Sequence, residues 1–125
     1  MDNLDSFSLN VANSLAKLGA EVLVVPGRGP CSPELWELLK ARPSHVVLGP
    51  GPGRPETRTQ RPRPCGAQEA SPLTMALARL ALSAGLQAPL LGLCLGHQAL
   101  GVAKGWRLRP SPLGPVHGVT EALSF

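Results

Sequence analysis

The segment 90–100 constrains the fold of this chain more than any other. An apolar run leads into the turn G-L-C-L-G at residues 92–96, and helical spacing begins directly after it. A G-x-C-x-G turn between a strand and a helix holds its central side chain in a strained, exposed position, and the flanking glycines let backbones pass closely. The pattern predicts a nucleophile elbow with Cys94 at its centre.

The chemistry expected at Cys94 follows from the helix that comes after it. Unpaired N–H groups and the positive end of the helix dipole point at the sulfur, which favours thiolate over thiol. The backbone N–H of Leu95 is then an oxyanion donor for an acyl group that the sulfur attacks. The alternative is that Cys94 is a small buried hydrophobic residue after a core strand.

A second glycine-rich turn favours the functional interpretation. The sequence P-G-P-G at residues 50–53 follows a short apolar strand predicted over residues 45–48. Turns at the ends of parallel strands open into one crevice. Taken alone, this loop is equally explained as a tight turn built from turn residues.

The order of predicted elements indicates an α/β fold. A helix begins after Asp5 or Ser6, either of which can cap it, and Gly19 ends it. Its apolar face comprises Phe7, Val11, Leu15 and Leu18. Strands are predicted over 20–25, 45–48 and 89–92 and helices over 32–39, 73–84 and 97–104, with a further strand starting at residue 106. This alternation predicts a three-layer, mostly parallel sheet with flanking helices.

Composition limits the classes of function. The chain has 125 residues, 43% of them hydrophobic, which suits one domain, and no apolar run approaches transmembrane length. Without a basic and apolar leader, a cytoplasmic protein without membrane attachment is expected. Three irregularly spaced cysteines predict neither a disulfide framework nor a metal site. The net charge of the chain is +4, and Arg54, Arg58, Arg61 and Arg63 cluster in a basic, Pro-rich loop over residues 54–71 without interleaved aromatic residues, which argues against nucleic-acid binding.

Three motifs, in this order along the chain, resemble those of the class I glutamine amidotransferases. They are D-N-L-D-S-F at residues 2–7 followed by Asn10, P-G-P-G at 50–53, and G-L-C-L-G-H-Q at 92–98. Within the family, the sequence is most similar to the small subunits of anthranilate synthase and aminodeoxychorismate synthase, which serve tryptophan and folate synthesis. The resemblance runs over most of the chain as a single, partial domain and is weakest over residues 56–88, where the 54–71 loop departs from the family as an insertion.

The resemblance implies a flavodoxin-like fold and a glutaminase reaction without a cofactor. Cys94 would attack the side-chain amide of glutamine, form a glutamyl thioester and release ammonia, and water would then hydrolyse the thioester. Gly51, Pro52 and Gly53 would approach glutamine through their backbone, and Gln98 would help to bind it. The ammonia would pass to the chorismate-using large subunit of a synthase.

The sequence departs from the family pattern at both ends. The strand that leads into the first motif is shortened, and the family's catalytic histidine and glutamate, in an H-P-E segment, lie beyond Phe125. His45, His97 and His117 are expected to be structural or solvent-facing, because nothing supplies an orienting carboxylate. A fragment, a mis-started and early-stopped reading frame, or a degenerate copy is therefore expected.

Two other functions are considered. One is a catalytically inactive remnant or binding module of the same fold. The other is a cysteine hydrolase of the α/β-hydrolase type, which shares the elbow but does not explain the P-G-P-G loop or Gln98.

Overall fold

Helices and short parallel strands alternate along the chain. The computed structural model describes residues 1–27, 42–55, 72–83, 86–112, 114, 120 and 122. In chain order the elements are α1 (Ser8–Lys17), β1 (Val46–Leu48), α2 (Pro72–Leu82), β2 (Leu90–Gly92) and α3 (Leu95–Ala103). The helix predicted over 32–39 and all but residues 54 and 55 of the basic loop lie outside the described residues. The small parallel sheet with flanking helices agrees with the predicted α/β class.

The two strands form the centre of the described fold. They pair in parallel, with Val46 opposite Leu90 and Leu48 opposite Gly92. Leu48 is fully buried in an apolar cluster together with residues of α2 and α3. The other buried members of this cluster are Leu73, Met75, Leu77, Ala78, Ala99 and Val102. Helices α2 and α3 therefore cover one face of the sheet and fix where the strand ends lie.

The opposite face of the sheet is directed toward α1. Side chains alternate along a strand, so Val47 and Leu91 face away from the cluster around Leu48. Together with residues of α1, such as Val11 and Leu15, they line a cavity of about 480 Å³. The arrangement of α1, sheet, and α2 with α3 gives the predicted three layers.

The first two residues lie in line with the sheet, next to β1. The Met1 ammonium group donates to the Val47 carbonyl at 2.9 Å, and the Gly49 amide donates to the Met1 carbonyl at 3.0 Å. On the other side, the Asp2 amide donates to the Val25 carbonyl at 2.8 Å. The strand predicted over 20–25 is wrong, because only Asp2 bridges to this segment, at Pro26. A ladder needs several consecutive residue pairs, and here only one pair forms.

Helix α1 differs from its prediction on the face that it buries. Val11 and Leu15 are half-buried as expected, but Phe7 is 59% and Leu18 85% exposed. Both lie just outside the helix, which runs from residue 8 to residue 17, so the 3.6-residue period does not apply to them. The predicted cap at Asp5 or Ser6 is wrong, because Phe7 occupies the N-cap position and no side chain caps the helix. The Asp5 carboxylate instead accepts a hydrogen bond from the Phe7 amide at 2.8 Å, just before the helix. Gly19, with φ of +90°, ends the element as predicted.

The later elements follow the prediction with shifted boundaries. Helix α2 ends at Leu82, and the predicted stop at Gly85 lies outside the described residues. Helix α3 begins two residues before the predicted start and is followed by Gly105 at φ of +87°. No strand forms over residues 106–112, so that expectation is wrong. The Trp106 amide instead donates to the Gly101 carbonyl at 2.9 Å, turning the chain back on α3. No helix in the described part has the length and apolarity needed to cross a membrane.

A carboxylate at the start of the chain makes the stability depend on pH. The Asp2 carboxylate accepts hydrogen bonds from the Ser8 hydroxyl at 2.7 Å and from the amides of Leu4 and Asp5. The Ser8 hydrogen bond is the largest cause that lowers the pKa of Asp2. A lowered folded-state pKa stabilises the protein above the ordinary aspartate pKa, and this stability is lost as pH falls through the folded-state value.

We therefore expect Ser8→Ala to raise the pKa of Asp2 toward its ordinary value, so that the loss of stability in acid is smaller and is complete at a higher pH. Carboxyl NMR titration together with unfolding midpoints between about pH 6 and pH 2 measures both effects. Ser14→Ala is the matched control, since Ser14 lies on the exposed side of the same helix. Equal acid profiles for the two variants would contradict the assignment.

Candidate active site

The backbone at Cys94 has the conformation predicted for an elbow. Cys94 has φ of 51° and ψ of −107°, a combination that is unfavourable for a residue with a side chain. Its side chain is exposed rather than buried, which removes the alternative of a small core residue. Because Cys94 occupies the N-cap position of α3, the sulfur lies at the end of the helix where N–H groups lack carbonyl partners within the helix.

Two glycines make this turn sterically possible. A Cβ atom on Gly92 would lie 2.6 Å from the His97 nitrogen and 2.7 Å from the Gly96 carbonyl oxygen. A Cβ atom on Gly96 would overlap the backbone of Leu48 in β1. The first glycine therefore allows the turn to fold tightly, and the second allows α3 to approach β1.

The two predicted loops lie at the same edge of the sheet. Because β1 and β2 are parallel and in register, the P-G-P-G loop after Leu48 and the elbow after Gly92 leave the sheet side by side. The Leu93 amide donates to the Leu48 carbonyl at 2.9 Å and extends the pairing into the elbow. A Cβ atom on Gly51 would lie 3.0 Å from Leu95 Cδ2, so the loop contacts the first residue of α3.

The backbone donors at this edge are partly engaged. The Gly96 amide donates to the Leu93 carbonyl at 2.9 Å, and the Gln98 amide donates to the Cys94 carbonyl at 3.0 Å. Within the described part of the chain, no acceptor is found for the Leu95 amide. This amide belongs to the residue that follows Cys94 and starts α3.

The remaining predicted residues lie around this edge. Pro52 and Gly53 are exposed at the tip of the loop, and Gly53 has φ of +94°. Gly51, further down the loop, is half-buried against α3. Gln98, one turn into α3, is also half-buried. All of the predicted site residues thus belong either to the loop or to the elbow and the first turns of α3.

The sequence analysis did not assign a role to Asn3, which lies beneath the loop. Asn3 is completely buried, its Nδ2 donates to the Gly49 carbonyl at 3.0 Å, and its Oδ1 accepts from the Thr74 hydroxyl at 2.8 Å. A Cβ atom on Gly51 would also contact Asn3. The motif D-N-L-D-S-F contains this residue, but the sequence has no feature that indicates Thr74 as its partner.

Neither described histidine lies next to the Cys94 sulfur with a carboxylate that would orient its imidazole ring. His45 precedes β1 at the amino end of the sheet, opposite the elbow, and its Nδ1 lies 3.2 Å from the Ser44 hydroxyl. His97 is exposed on α3 and lines a cavity of about 390 Å³ with residues that include Leu82, Lys104 and Trp106. His117 lies outside the described residues.

The described residues also show what kinds of polar group surround the site. No group of three or more histidine, cysteine, aspartate or glutamate side chains is placed among them to hold a metal ion. Every buried side-chain nitrogen and oxygen of the described part has a hydrogen-bond partner.

Sequence comparisons relate the chain to a known family and to named proteins. The family model described as glutamine amidotransferase class-I matches residues 1–124. The chain is 37% identical over 125 residues to anthranilate synthase component 2, pyocyanine specific, of Pseudomonas aeruginosa, covering 100% of this chain and 54% of that protein. It is 34% identical over 123 residues to aminodeoxychorismate synthase component 2 of Serratia marcescens, and the match covers 98% of this chain and 54% of that protein.

A third relative comes from a different synthase. The chain is 38% identical over 96 residues to the carbamoyl phosphate synthase small chain of Rubrivivax gelatinosus, covering 77% of this chain and 20% of that protein. No solved structure matches the chain with significance. The chain spans about half the length of the anthranilate and aminodeoxychorismate synthase components. Because the family model covers nearly all of its residues, the chain belongs to the class-I glutamine amidotransferase family.

Proposed function

We propose that this chain carries the nucleophile and the oxyanion-binding loop of a glutaminase that supplies ammonia to a chorismate-using synthase. The observation that supports this most directly is the placement of Cys94. It is exposed, strained and located at the start of α3, at the sheet edge from which the P-G-P-G loop leaves. Nucleophiles that form acyl intermediates require this combination of access and nearby backbone donors.

The reaction proceeds through a covalent intermediate. The Cys94 thiolate attacks the side-chain carbonyl carbon of glutamine, and the oxygen takes up the negative charge of a tetrahedral intermediate. The Leu95 amide and a glycine amide of the loop donate hydrogen bonds to this oxygen. The carbon–nitrogen bond then breaks, the leaving nitrogen takes up a proton to depart as ammonia, and water hydrolyses the thioester to glutamate.

The substrate is held by groups around the same edge. Gly51, Pro52 and Gly53 provide backbone for the side chain of glutamine, and Gln98 provides an amide that pairs with polar groups of an amino acid. The relatives named as components of anthranilate and aminodeoxychorismate synthases support a large synthase subunit as the partner that receives the ammonia.

A binding module without turnover is the second candidate. The observation that favours it is the position of His45 and His97, neither of which is placed as a general base for Cys94 with a carboxylate behind it. General acid–base assistance contributes on the order of 10² to 10⁴ in rate. A chain that binds glutamine and carries a reactive thiol therefore turns over slowly unless a base is supplied to it.

A chloromethyl ketone analogue of glutamine tests the site without requiring that base. The thiolate adds to the ketone carbonyl, which places negative charge on the oxygen, and the adduct then expels chloride, so that no leaving amine has to be protonated. We expect Cys94 to be alkylated at least about tenfold faster than Cys31 or Cys65, because binding of the glutamine part of the reagent holds its reactive carbon next to the Cys94 sulfur. Glutamine should slow the reaction, and asparagine, which is shorter by one methylene, should not. Peptide mass spectrometry after timed quenching measures the rate at each cysteine.

An ammonia assay on the same samples separates the two candidates. Glutamine-protected alkylation with ammonia release supports the glutaminase, and glutamine-protected alkylation without ammonia release supports the binding module. Equal labelling of all three cysteines, insensitive to glutamine, would rule out both.

A further inference from the structure

A buried hydrogen-bond chain runs from α2 through the first motif to the loop after β1. The Thr74 hydroxyl donates to Asn3 Oδ1 at 2.8 Å, and Asn3 Nδ2 donates to the Gly49 carbonyl at 3.0 Å. Asn3 is 0% and Thr74 1% exposed, so water does not compete for these bonds. The chain of bonds joins three segments that are distant in sequence.

The contacts of Asn3 are concentrated on the P-G-P-G loop. Its amide holds the carbonyl of Gly49, the residue that connects β1 to the loop. Its side chain also lies directly under Gly51, where a Cβ atom would collide with Asn3 Cβ and lie 3.0 Å from Leu95 Cδ2. Gly51 is thus packed between Asn3 and the first residue of α3.

Thr74 determines which way the Asn3 amide faces. An asparagine amide has one accepting and one donating end, and the two can exchange by rotation. Because the Thr74 hydroxyl donates to Oδ1, the donating Nδ2 is left to face the Gly49 carbonyl. Loss of this hydroxyl removes one of the hydrogen bonds that keep the amide in the orientation that holds the loop.

We propose that Asn3 and Thr74 form a positioning pair that fixes the P-G-P-G loop at the distance from Cys94 at which its backbone receives the oxyanion. This rests on the proposed glutaminase site. The pair does not contact the substrate and acts through the loop, because Asn3 and Thr74 determine the position of the glycine amides relative to Cys94. A shift of the loop therefore weakens reactions that develop charge on a carbonyl oxygen and leaves the intrinsic thiol unchanged.

Thr74→Val and Thr74→Ser form a matched pair of variants. Valine keeps the shape of threonine and removes the hydroxyl, whereas serine keeps the hydroxyl. We expect Thr74→Val to slow alkylation of Cys94 by the glutamine chloroketone about tenfold, because stabilisation at a carbonyl oxygen depends on donor placement. Alkylation by iodoacetamide, which has no such requirement, should stay at the unmodified rate. Thr74→Ser should restore the chloroketone rate.

Hydrogen–deuterium exchange tests the position of the loop independently of its chemistry. Thr74→Val and Asn3→Ala should speed exchange in the peptide that contains the amides of Gly49, Gly51 and Gly53, and Thr74→Ser should not. Peptides from α3 serve as the reference for the folded protein. Unchanged exchange in the loop of both variants would overturn the positioning role.

The outcomes distinguish the pair from the site itself. If glutamine does not protect the unmodified chain from the chloroketone, the proposed function fails. Hydrogen–deuterium exchange of the loop peptide then still decides whether Asn3 and Thr74 hold the loop. If the unmodified chain reacts with glutamine protection and Thr74→Val reacts equally fast, the positioning role fails while the proposed function stands. A slower reaction of Thr74→Val with iodoacetamide would also contradict the positioning role, because it would show that the substitution changes the reactivity of the thiol itself.

Discussion

Replacement of Cys94 by serine is expected to abolish both alkylation by the glutamine analogue and any release of ammonia. A serine hydroxyl has nearly the same size but lacks the thiolate chemistry, and neither of the described histidines, His45 and His97, is placed with a carboxylate to activate it. Removal of a nucleophile from an enzyme that uses it covalently costs on the order of 10³-fold or more. Ammonia release should therefore fall to the rate seen without protein, while the far-ultraviolet circular dichroism stays unchanged.

A glycine at the same position is the matched control for the backbone. The φ of 51° at Cys94 is strained for cysteine and serine alike, but glycine adopts it freely. We expect Cys94→Gly to be as inactive as Cys94→Ser and more stable than it by about 1 kcal/mol in urea unfolding. Ammonia release that persists in both variants would remove Cys94 from the mechanism, and equal stability of the two would show that the turn is relaxed.

The second large effect is expected from Gly96→Ala. A Cβ atom at this position would lie 2.6 Å from Leu48 Cβ and 2.7 Å from the Leu48 carbonyl carbon, and would overlap its oxygen. Since backbone atoms of a central strand cannot move aside cheaply, the helix must shift. We expect a loss of roughly 2 to 4 kcal/mol in the free energy of unfolding. For a domain of this size the melting temperature falls by roughly 10 °C or more.

Gly101→Ala in the same helix separates the clash from the effect of helix propensity. Alanine favours a helix over glycine by about 1 kcal/mol at either position. At Gly101 the nearest atom to a new Cβ is Trp106 Cε3 at 3.3 Å, which belongs to a side chain that is 65% exposed and free to yield. We expect this variant to melt within a few degrees of the unmodified chain. Equal destabilisation in the two variants would contradict the close approach of α3 to β1.

The elbow was predictable because its geometry is local. Gly92, Cys94 and Gly96 occur at a fixed spacing, and that spacing alone implies a strained conformation at the cysteine and a close passage of backbones. The structure has both features. The roles of Leu95, Gly51, Pro52, Gly53 and Gln98 toward glutamine stay predictions, because they depend on a bound substrate.

The strand expected over residues 20–25 shows where local pattern fails. Its valine-rich composition favours a strand, but a strand forms only where a neighbouring backbone accepts its hydrogen bonds. Asp2 supplies one such neighbour, so pairing is limited to a single bridge at Pro26. Leu23 accordingly stays 68% exposed.

The positioning pair could not be predicted for a different reason. An asparagine in a motif indicates a polar contact without naming its partner, and Thr74 lies 71 residues away on an unrelated helix. Nothing in the helical period of α2 separates a buried threonine that donates a hydrogen bond from one that merely fills space. Contacts of this kind become visible only when the fold is known.

The hydrogen bonds that organise the site have a consequence for how the thiol acquires its reactivity during folding. Met1 with Val47 and Asn3 with Gly49 each span 46 residues, and Thr74 with Asn3 spans 71. Contacts at such separations form late, because the chain must first lose the entropy of closing long loops. Elements that form early, such as an isolated α3, do not contain the loop. We therefore expect Cys94 to react as an ordinary cysteine until β1, β2 and the first residues have assembled, so that selective alkylation by the glutamine analogue would report the assembly of these segments.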